Sequence, residues 1–202
     1  MQTADSPHRP FELNNNYWDQ RYQLDNTPWD LGSYSPSLIY LAERYAQVDS
    51  AILLPGAGLG HDLMELYRRG FHRTVALDWS AEVVDRLRQT DPKLPVESVI
   101  HADFFQHAGC YDLILEQTFF CALHPSQRFD YINHMSTLIK PGGILAGVWF
   151  VFPLTDQGPP FGGQAAEYRQ LLACKFDLLR FERCRFSVPE RWGKEWLIVA
   201  RR

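Results

Sequence analysis

A glycine-rich loop at residues 56–60 is the segment whose residue types and spacing point most directly to chemistry. An apolar stretch runs into the loop, and a helical pattern begins directly after it at His61. Glycines let the backbone approach a ligand closely, and the start of a helix offers N–H groups that lack partners. We therefore expect Gly56 and Gly58 to contact a nucleotide-like ligand. The alternative is that these glycines only close a tight strand-to-helix turn.

Acidic residues follow the next two predicted strands. Asp78 ends the second strand about 20 residues after the loop, where a carboxylate can accept hydrogen bonds from both hydroxyls of a ribose. Asp103 and Phe104 follow the third strand and would supply a hydrogen-bond acceptor for an adenine amine and an apolar wall for its ring. The alternative for this pair is a helix cap and an ordinary core residue. Together with the loop, the two carboxylates indicate a ligand that contains adenosine.

Two classes of enzyme use this arrangement. Nicotinamide-dependent dehydrogenases also place an acidic residue at the end of the second strand. In this chain the glycines are spaced G-x-G-x-G rather than G-x-G-x-x-G, and the sequence has no Tyr-x-x-x-Lys pair. An enzyme that uses S-adenosylmethionine is therefore favoured, with a dehydrogenase as the alternative.

Strand and helix patterns alternate along the chain. The predicted strands span residues 50–54, 74–77, 96–101, 111–116 and 143–151, and the predicted helices span residues 37–46, 61–69, 80–89 and 129–139. Ser80 is expected to cap the third of these helices. A helix at 167–172 precedes an irregular strand at 175–187 and a last strand at 195–200, which are expected to form an antiparallel hairpin. The pattern predicts one α/β domain over residues 1–202 with a doubly wound, mostly parallel sheet.

The composition restricts the kinds of partner. A chain of 202 residues, 46% of them hydrophobic, can bury one sizeable core. A net charge of −4 argues against nucleic acid or an anionic membrane as partner, and no apolar stretch has the length of a membrane span. The four cysteines lack C-x-x-C spacing, so no metal site is predicted. We expect a cytoplasmic monomer that acts on a small molecule and whose first dozen residues are disordered.

Several longer motifs stand in order between Tyr17 and Gly193. They are W-D-Q-R-Y at 18–22, T-P-W-D-L-G at 27–32, L-P-G-A-G-L-G-H-D at 54–62, A-L-D-W-S at 76–80, A-D-F-F at 102–105, L-I-K-P-G-G at 138–143 and G-P-P-F at 158–161. In these motifs the chain resembles the thiopurine S-methyltransferase superfamily, and within it the plant-type thiol, thiocyanate and halide methyltransferases. The second and third motifs together are far more specific than a glycine loop alone.

The resemblance implies a Rossmann-like, class I S-adenosylmethionine-dependent methyltransferase fold, with S-adenosylmethionine as methyl donor. An aromatic cover at residues 14–46 would pack Trp18 and Trp29 on this cofactor. Asp78 would hold the ribose, while Asp103 and Phe104 would bracket the adenine. The full set of cofactor-binding residues that the resemblance implies is Trp18, Trp29, Gly56, Gly58, Asp78, Trp79, Asp103, Phe104 and Gln117.

The acceptor side is expected to need little acid–base help. Methyl transfer from a sulfonium is an in-line displacement, so proximity and alignment supply most of the acceleration. A thiol with a pKa near that of cysteine is already partly ionised at neutral pH. The pocket walls are expected among Trp18, Tyr22, Trp29, Phe119, Phe120, Phe152 and Phe161, with core packing as the alternative for Phe119 and Phe120. The predicted catalytic residues are Arg21, His124, Phe152 and Asp156.

Two of these assignments have open alternatives. His124 can equally begin a helical turn with Pro125, and Arg21 can equally form a surface ion pair. Phe152 stands where plant relatives have a tyrosine, which favours a thiol or thiopurine-like sulfur over halide or thiocyanate as acceptor. A halide or thiocyanate methyltransferase, and a non-catalytic module that binds S-adenosylmethionine, are the alternative functions.

Overall fold

The structure, a computed structural model, describes residues 13–155 and 157–202. Two expectations from the sequence lie outside these residues. They are the disorder of the first dozen residues and the catalytic role of Asp156.

A seven-stranded sheet forms the centre of the protein. Its strands are β1 (Ile52–Pro55), β2 (Thr74–Asp78), β3 (Val99–His101), β4 (Tyr111–Gln117), β5 (Ile139–Phe150), β6 (Asp177–Arg183) and β7 (Glu195–Arg201). Their order across the sheet is β3-β2-β1-β4-β5-β7-β6. The first five strands pair in parallel, and β7 lies antiparallel to both β5 and β6. The predicted α/β fold with a C-terminal antiparallel hairpin is confirmed.

Helices cover both faces of this sheet. They are α1 (Asn15–Gln23), α2 (Pro36–Tyr45), α3 (His61–Arg68), α4 (Ala81–Thr90), α5 (Arg128–Leu138) and α6 (Ala165–Ala173). One core cluster contains residues of α2, α3 and α4, and the other contains residues of α5 and α6. Strand β1 is buried along its whole length, as expected of a central parallel strand covered on both sides.

Side-chain caps set the starts of two helices near the carboxyl ends of the parallel strands. The Ser80 hydroxyl accepts a hydrogen bond from the N–H of Val83 and caps α4, as the sequence predicted. The Ser35 hydroxyl caps α2 through the N–H of Leu38. These caps fix the positions at which the loops leave the sheet.

Helix α1 was not expected from the sequence. Its residues are mostly polar, and Tyr22 is its one buried residue, so it lacks the apolar stripe by which a helix is recognised. The helix is held instead by polar contacts with α4. The Asp19 carboxylate accepts from the Ser80 hydroxyl at 2.5 Å, and Arg86 donates to the carbonyl of Tyr22 at 3.1 Å.

Two strand boundaries also differ from the prediction. Residues Val96–Ser98 form a short 3-10 helix after Pro95, so β3 begins only at Val99. Strand β5 begins at Ile139 rather than at residue 143, and its pairing with β4 shifts register between Tyr111 and Leu113. None of the helices in the described ranges has both the length and the apolar character that a bilayer crossing requires.

Candidate active site

Two adjoining pockets open at the carboxyl ends of β1, β2 and β4. The larger has a volume of about 430 Å³ and the smaller about 80 Å³. Five residues line both, and they mark the junction between the two pockets: Tyr22, Trp29, Gly56, Thr118 and Arg191. The carboxyl edge of parallel strands is where open α/β sheets bind their ligands.

The glycine loop forms the floor of the junction. Gly56 and Gly58 have φ angles of +61° and +53°, which side chains rarely adopt. A Cβ atom on Gly56 would lie 2.4 Å from Cδ2 of Phe119, and one on Gly58 would lie 3.1 Å from the hydroxyl of Tyr22. Both positions therefore need glycine, for backbone conformation and for space.

Asp78 joins this loop to the start of α4. One carboxylate oxygen accepts from the N–H of Gly58 at 3.0 Å, and the other accepts from the N–H of Ser80 at 2.9 Å. Desolvation by the surrounding protein raises the pKa of Asp78, against the lowering effect of these N–H donors. The side chain lines the larger pocket beside Trp79.

Asp103 and Phe104 also line the larger pocket, and the structural alternative considered for them applies to both. Asp103 caps the short 3-10 helix Phe104–Gln106 by accepting from the N–H of Phe105 at 2.9 Å. That bond uses Oδ1, and Oδ2 makes no hydrogen bond to any described residue. Phe104 is 3% exposed and packs edge-on against the ring of Phe119 at 5.1 Å. The pair is thus structural, and it also presents a free carboxylate oxygen and an aromatic surface.

Three aromatic rings of the N-terminal segment form the roof. Trp18 and Tyr22 each meet the ring of Trp29 edge-on, with centroids 5.5 and 5.7 Å away. The indole N–H of Trp29 donates to the Tyr22 hydroxyl at 3.1 Å. Arg21 lies over the Trp29 ring, with Cζ 5.0 Å from the centroid. All four residues line the larger pocket.

A strained turn after β4 forms the opposite wall. Thr118 has a φ of +63°, an outlier for a β-branched residue that costs on the order of 1–3 kcal/mol. Glu116 holds the turn, because its carboxylate accepts from the N–H groups of Phe119 and Phe120 at 3.2 and 3.3 Å. Burial raises the pKa of Glu116 to about 7. In the same turn, Cys121 lines the larger pocket, and burial raises the pKa of its thiol.

Arg191 completes the junction from the C-terminal part of the chain. Its Nη2 donates to the carbonyl of Trp29 at 2.5 Å, and its Nη1 lies 3.6 Å from Oε1 of Glu195. The same Glu195 oxygen accepts from the side chain of Gln117 at 2.8 Å. Gln117 lines the smaller pocket. Glu195 is 1% exposed, so this ion pair is shielded from water.

Several polar side chains stand in the wall of the smaller pocket. Nε2 of His61 lies 3.1 Å from the carboxylate of Asp30, and both residues line it. Asp62 accepts from the N–H of Ser35 at 2.7 Å, and burial raises its pKa to about 6. This pocket can therefore hold the charged end of a ligand.

The predicted acceptor-side residues separate into two groups. Arg21 lines the larger pocket, whereas His124 and Phe152 line neither. His124 is exposed and caps the 3-10 helix Pro125–Gln127, which is the alternative that the sequence left open. Phe152 pairs with Gly163 and packs on Phe150, which does line the larger pocket.

Core packing accounts for two of the other aromatic candidates. Phe120 is 1% exposed and stacks on Trp149 at 4.0 Å, and Phe161 is also buried. Phe119, by contrast, lines the larger pocket. Several further lining residues were not among the candidates from the sequence: Thr118, Cys121, Leu123, Phe150, Pro159, Pro160 and Arg191.

Comparison with known proteins identifies the family. The thiopurine S-methyltransferase family matches residues 13–200. Probable thiol methyltransferase 2 of Arabidopsis thaliana is 32% identical over 186 residues, covering 89% of this chain and 82% of the relative. Thiocyanate methyltransferase 1 of the same plant is 29% identical over 188 residues, with the same coverage of each chain.

A solved structure supports the fold. The 1,6-didemethyltoxoflavin-N1-methyltransferase of Burkholderia thailandensis superposes with a TM-score of 0.69 at 19% identity, covering 96% of this chain and 92% of that one. The predicted class I methyltransferase fold is thereby confirmed, and the family match supports S-adenosylmethionine as the methyl donor. From its matched residues, its fold and its curated relatives, the chain belongs to the thiopurine S-methyltransferase family.

Proposed function

We propose that this enzyme methylates the sulfur of a small thiol or thiopurine-like compound. One observation carries the proposal. Apart from Asp78 and Asp103 at the strand ends, the titratable residues that line the larger pocket are Arg21, Tyr22, Cys121 and Arg191. In the larger pocket, no other carboxylate and no imidazole of the described residues stands ready as a base. Such a site suits a nucleophile that ionises on its own near neutral pH, as a thiol does.

The residues around the two pockets fit the proposed donor. We propose that Asp78 holds the ribose, and that the free Oδ2 of Asp103 and the ring of Phe104 contact the adenine. Gly56 and Gly58 leave space that a Cβ would fill. We propose that Trp18, Trp29 and Trp79 pack on this ligand and that Gln117 contacts it from the smaller pocket.

The chain's own contribution is to align the reactants and to keep water away. When bound, S-adenosylmethionine supplies an electrophilic methyl group, so the acceptor leaves as a methyl thioether and its thiol proton passes to solvent. The faces of Trp29 and Tyr22 favour a sulfonium by about 0.5–2 kcal/mol through cation–π attraction. Arg191 lies at the junction of the pockets, where a guanidinium lowers the pKa of a neighbouring thiol.

We assign indirect roles to the remaining predicted residues. Phe152 supports Phe150, and His124 fixes the turn that carries Leu123 into the pocket wall. The role of Asp156 stays a prediction, because this residue lies outside the described ranges.

We further propose that residues 1–202 act as one domain, with residues 14–46 as its cover, and as a cytoplasmic monomer that does not bind nucleic acid. All four cysteines lie in the described ranges as free thiols, which suits a reducing compartment. The net charge of −4 suits a small-molecule acceptor better than a nucleic acid.

The test is release of S-adenosylhomocysteine by the purified protein with S-adenosylmethionine and a panel of thiols. The panel should contain aliphatic thiols, thiophenols and thiopurines, and product should be identified by mass. We expect thioether formation with at least one class. A protein that binds S-adenosylhomocysteine and yet methylates none of them would contradict the proposal and favour a binding module.

A second candidate is methylation of thiocyanate or halide. One relative is named thiocyanate methyltransferase 1, and the guanidinium of Arg191 at the junction suits a small anion. The absence of a hydroxyl on Phe152 weighs less against this candidate than the sequence suggested, because Phe152 lines neither pocket. Methyl iodide or methyl thiocyanate released from the matching salt would identify it.

A further inference from the structure

Arg21 carries a charge into the larger pocket without an acidic partner. Its Nε donates to the carbonyl of Asn26 at 2.7 Å, and its Nη1 donates to the hydroxyl of Tyr17 at 3.1 Å. Its guanidinium also lies over the ring of Trp29. These contacts fix the side chain, and Nη2 makes no hydrogen bond to any described residue. No carboxylate of the described ranges forms an ion pair with Arg21.

The second guanidinium of the pocket is different. Arg191 is paired with the buried carboxylate of Glu195 and is used to hold the carbonyl of Trp29. Its charge is therefore partly compensated within the protein. Among the described residues that line the larger pocket, Arg21 is the one cation without a carboxylate partner.

The position of Arg21 indicates which part of a ligand it meets. The five junction residues line both pockets, and the donor's reactive end is expected there because Gly56 of the glycine loop is one of them. Arg21 lines only the larger pocket, as do Trp18 and Pro28. An anion held by Arg21 is therefore separated from the reacting sulfur, so it is a second group on the acceptor.

We propose that Arg21 is an anion-binding residue for the acceptor, and that the preferred acceptors are small thiols that carry a separate carboxylate. This inference rests on the proposed thiol methyltransferase function. A guanidinium presents planar N–H donors that match a carboxylate, and such charge-assisted bonds are about twice as strong as neutral ones. A single guanidinium with two nitrogens already engaged suits a monoanion better than a phosphate dianion.

The test compares two acceptors that differ only in the charged group. Thiophenol and 3-mercaptobenzoate are assayed with wild-type enzyme and with Arg21→Gln. We expect kcat/KM for 3-mercaptobenzoate to fall by about tenfold to a hundredfold through KM, while the value for thiophenol changes by less than about threefold. Arg21→Lys should restore part of the loss, because it keeps the charge without the planar donors.

A matched control is available on α2. Arg44 is an exposed arginine that also lies over an aromatic ring, that of Tyr45 at 5.9 Å, and it lines neither pocket. Arg44→Gln should leave both acceptors unaffected. Calorimetric binding of S-adenosylhomocysteine to each variant separates donor affinity from acceptor affinity.

Three results would overturn the inference. An equal loss with both acceptors would show that Arg21 acts only by packing on Trp29. A weaker binding of S-adenosylhomocysteine without a selective change in KM would assign Arg21 to the donor. Equal kcat/KM for the two acceptors in wild type would show that no carboxylate is recognised.

Methylation of neither acceptor, or of any other thiol, would instead defeat the proposed function. Calorimetric binding of 3-mercaptobenzoate to the complex with S-adenosylhomocysteine would then still test Arg21.

Discussion

The carbonyl oxygen of Trp29 accepts a 2.5 Å hydrogen bond from Nη2 of Arg191, a residue 162 positions later in the chain. This bond joins the N-terminal roof of the site to the segment before β7. Because Arg191 is also paired with Glu195, the first residue of β7, the position of Trp29 depends on the C-terminal hairpin. The roof and the hairpin are therefore expected to respond together to substitution.

Replacement of Arg191 by methionine should destabilise the protein. Glu195 would be left buried without its cation, a change that typically costs about 3–5 kcal/mol. The free energy of unfolding in urea measures the loss. The double variant with Glu195→Gln should lose clearly less than the sum of the two single variants. Additive losses would show that the two side chains are not energetically coupled.

Gly56→Ala should weaken the binding of S-adenosylhomocysteine by about tenfold or more, because the new methyl group would displace the ring of Phe119 from the pocket wall. Gly142→Ala is the matched control. Gly142 has a φ of +81°, and a Cβ added there would have no neighbour within 4 Å. Alanine at this position therefore causes the same backbone strain as at Gly56, about 1 kcal/mol, but no steric clash. Both variants should therefore lose some stability, and only Gly56→Ala should lose affinity. Equal affinities would contradict the role of the loop.

Asp78→Asn should reduce affinity for S-adenosylhomocysteine by about tenfold to a hundredfold, since a charged acceptor for the ribose hydroxyls is replaced by an amide. Methylthioadenosine has the ribose and adenine but not the amino-acid end. The affinity for methylthioadenosine should fall by a similar factor, which would show that the lost contact is with the adenosine part of the ligand. Asp130→Asn, an exposed change in the first turn of α5, should leave both affinities unchanged.

Glu116 should make the protein less stable as the pH rises. Burial raises its pKa from 4.5 to about 7, so the folded state binds its proton more tightly than the unfolded state does. Between these two pH values the unfolded state releases the proton first. The contribution of Glu116 to the free energy of unfolding is therefore fully present at low pH. It is lost as the pH rises toward 7, by up to about 3 kcal/mol.

The difference between wild type and Glu116→Gln isolates this effect, because Gln does not titrate. Asp62, whose pKa burial also raises to about 6, and Glu65, whose pKa its hydrogen bond with Arg68 lowers to about 2, contribute equally to both proteins. The stability difference should change between pH 5 and pH 8. A difference that is constant over this range would exclude titration of Glu116 near neutrality.

The parts of the site that sequence predicted are those that depend on local patterns. Gly56 follows β1 directly, Asp78 ends β2 and Asp103 stands two residues after β3, so the apolar run that predicts each strand also places the residue at the edge of the sheet. The predicted cap at Ser80 is local in the same sense. Such features need only a few neighbouring residues to be recognised.

The remaining parts depend on contacts between distant segments. Arg191 lies in a short 3-10 helix with no local signal of function, and it reaches the site only because β7 inserts between β5 and β6. Helix α1 has no apolar stripe, and it is held by bonds from Asp19 and Tyr22 to residues of α4 and its cap. The strain at Thr118 follows from the carboxylate of Glu116, which is likewise visible only in three dimensions.

The place of β7 in the sheet has a consequence for synthesis on the ribosome. Within the described sheet, strand β6 pairs only with β7. A growing chain that has passed residue 183 but has not yet reached β7 therefore has no partner for β6. Until residues 195–201 emerge, the edge of β5 also stays open, and unpaired edges are where strands of separate chains associate. The nascent protein therefore relies on residues 195–201 to close its sheet. A premature stop in this stretch would leave a fragment that tends to aggregate.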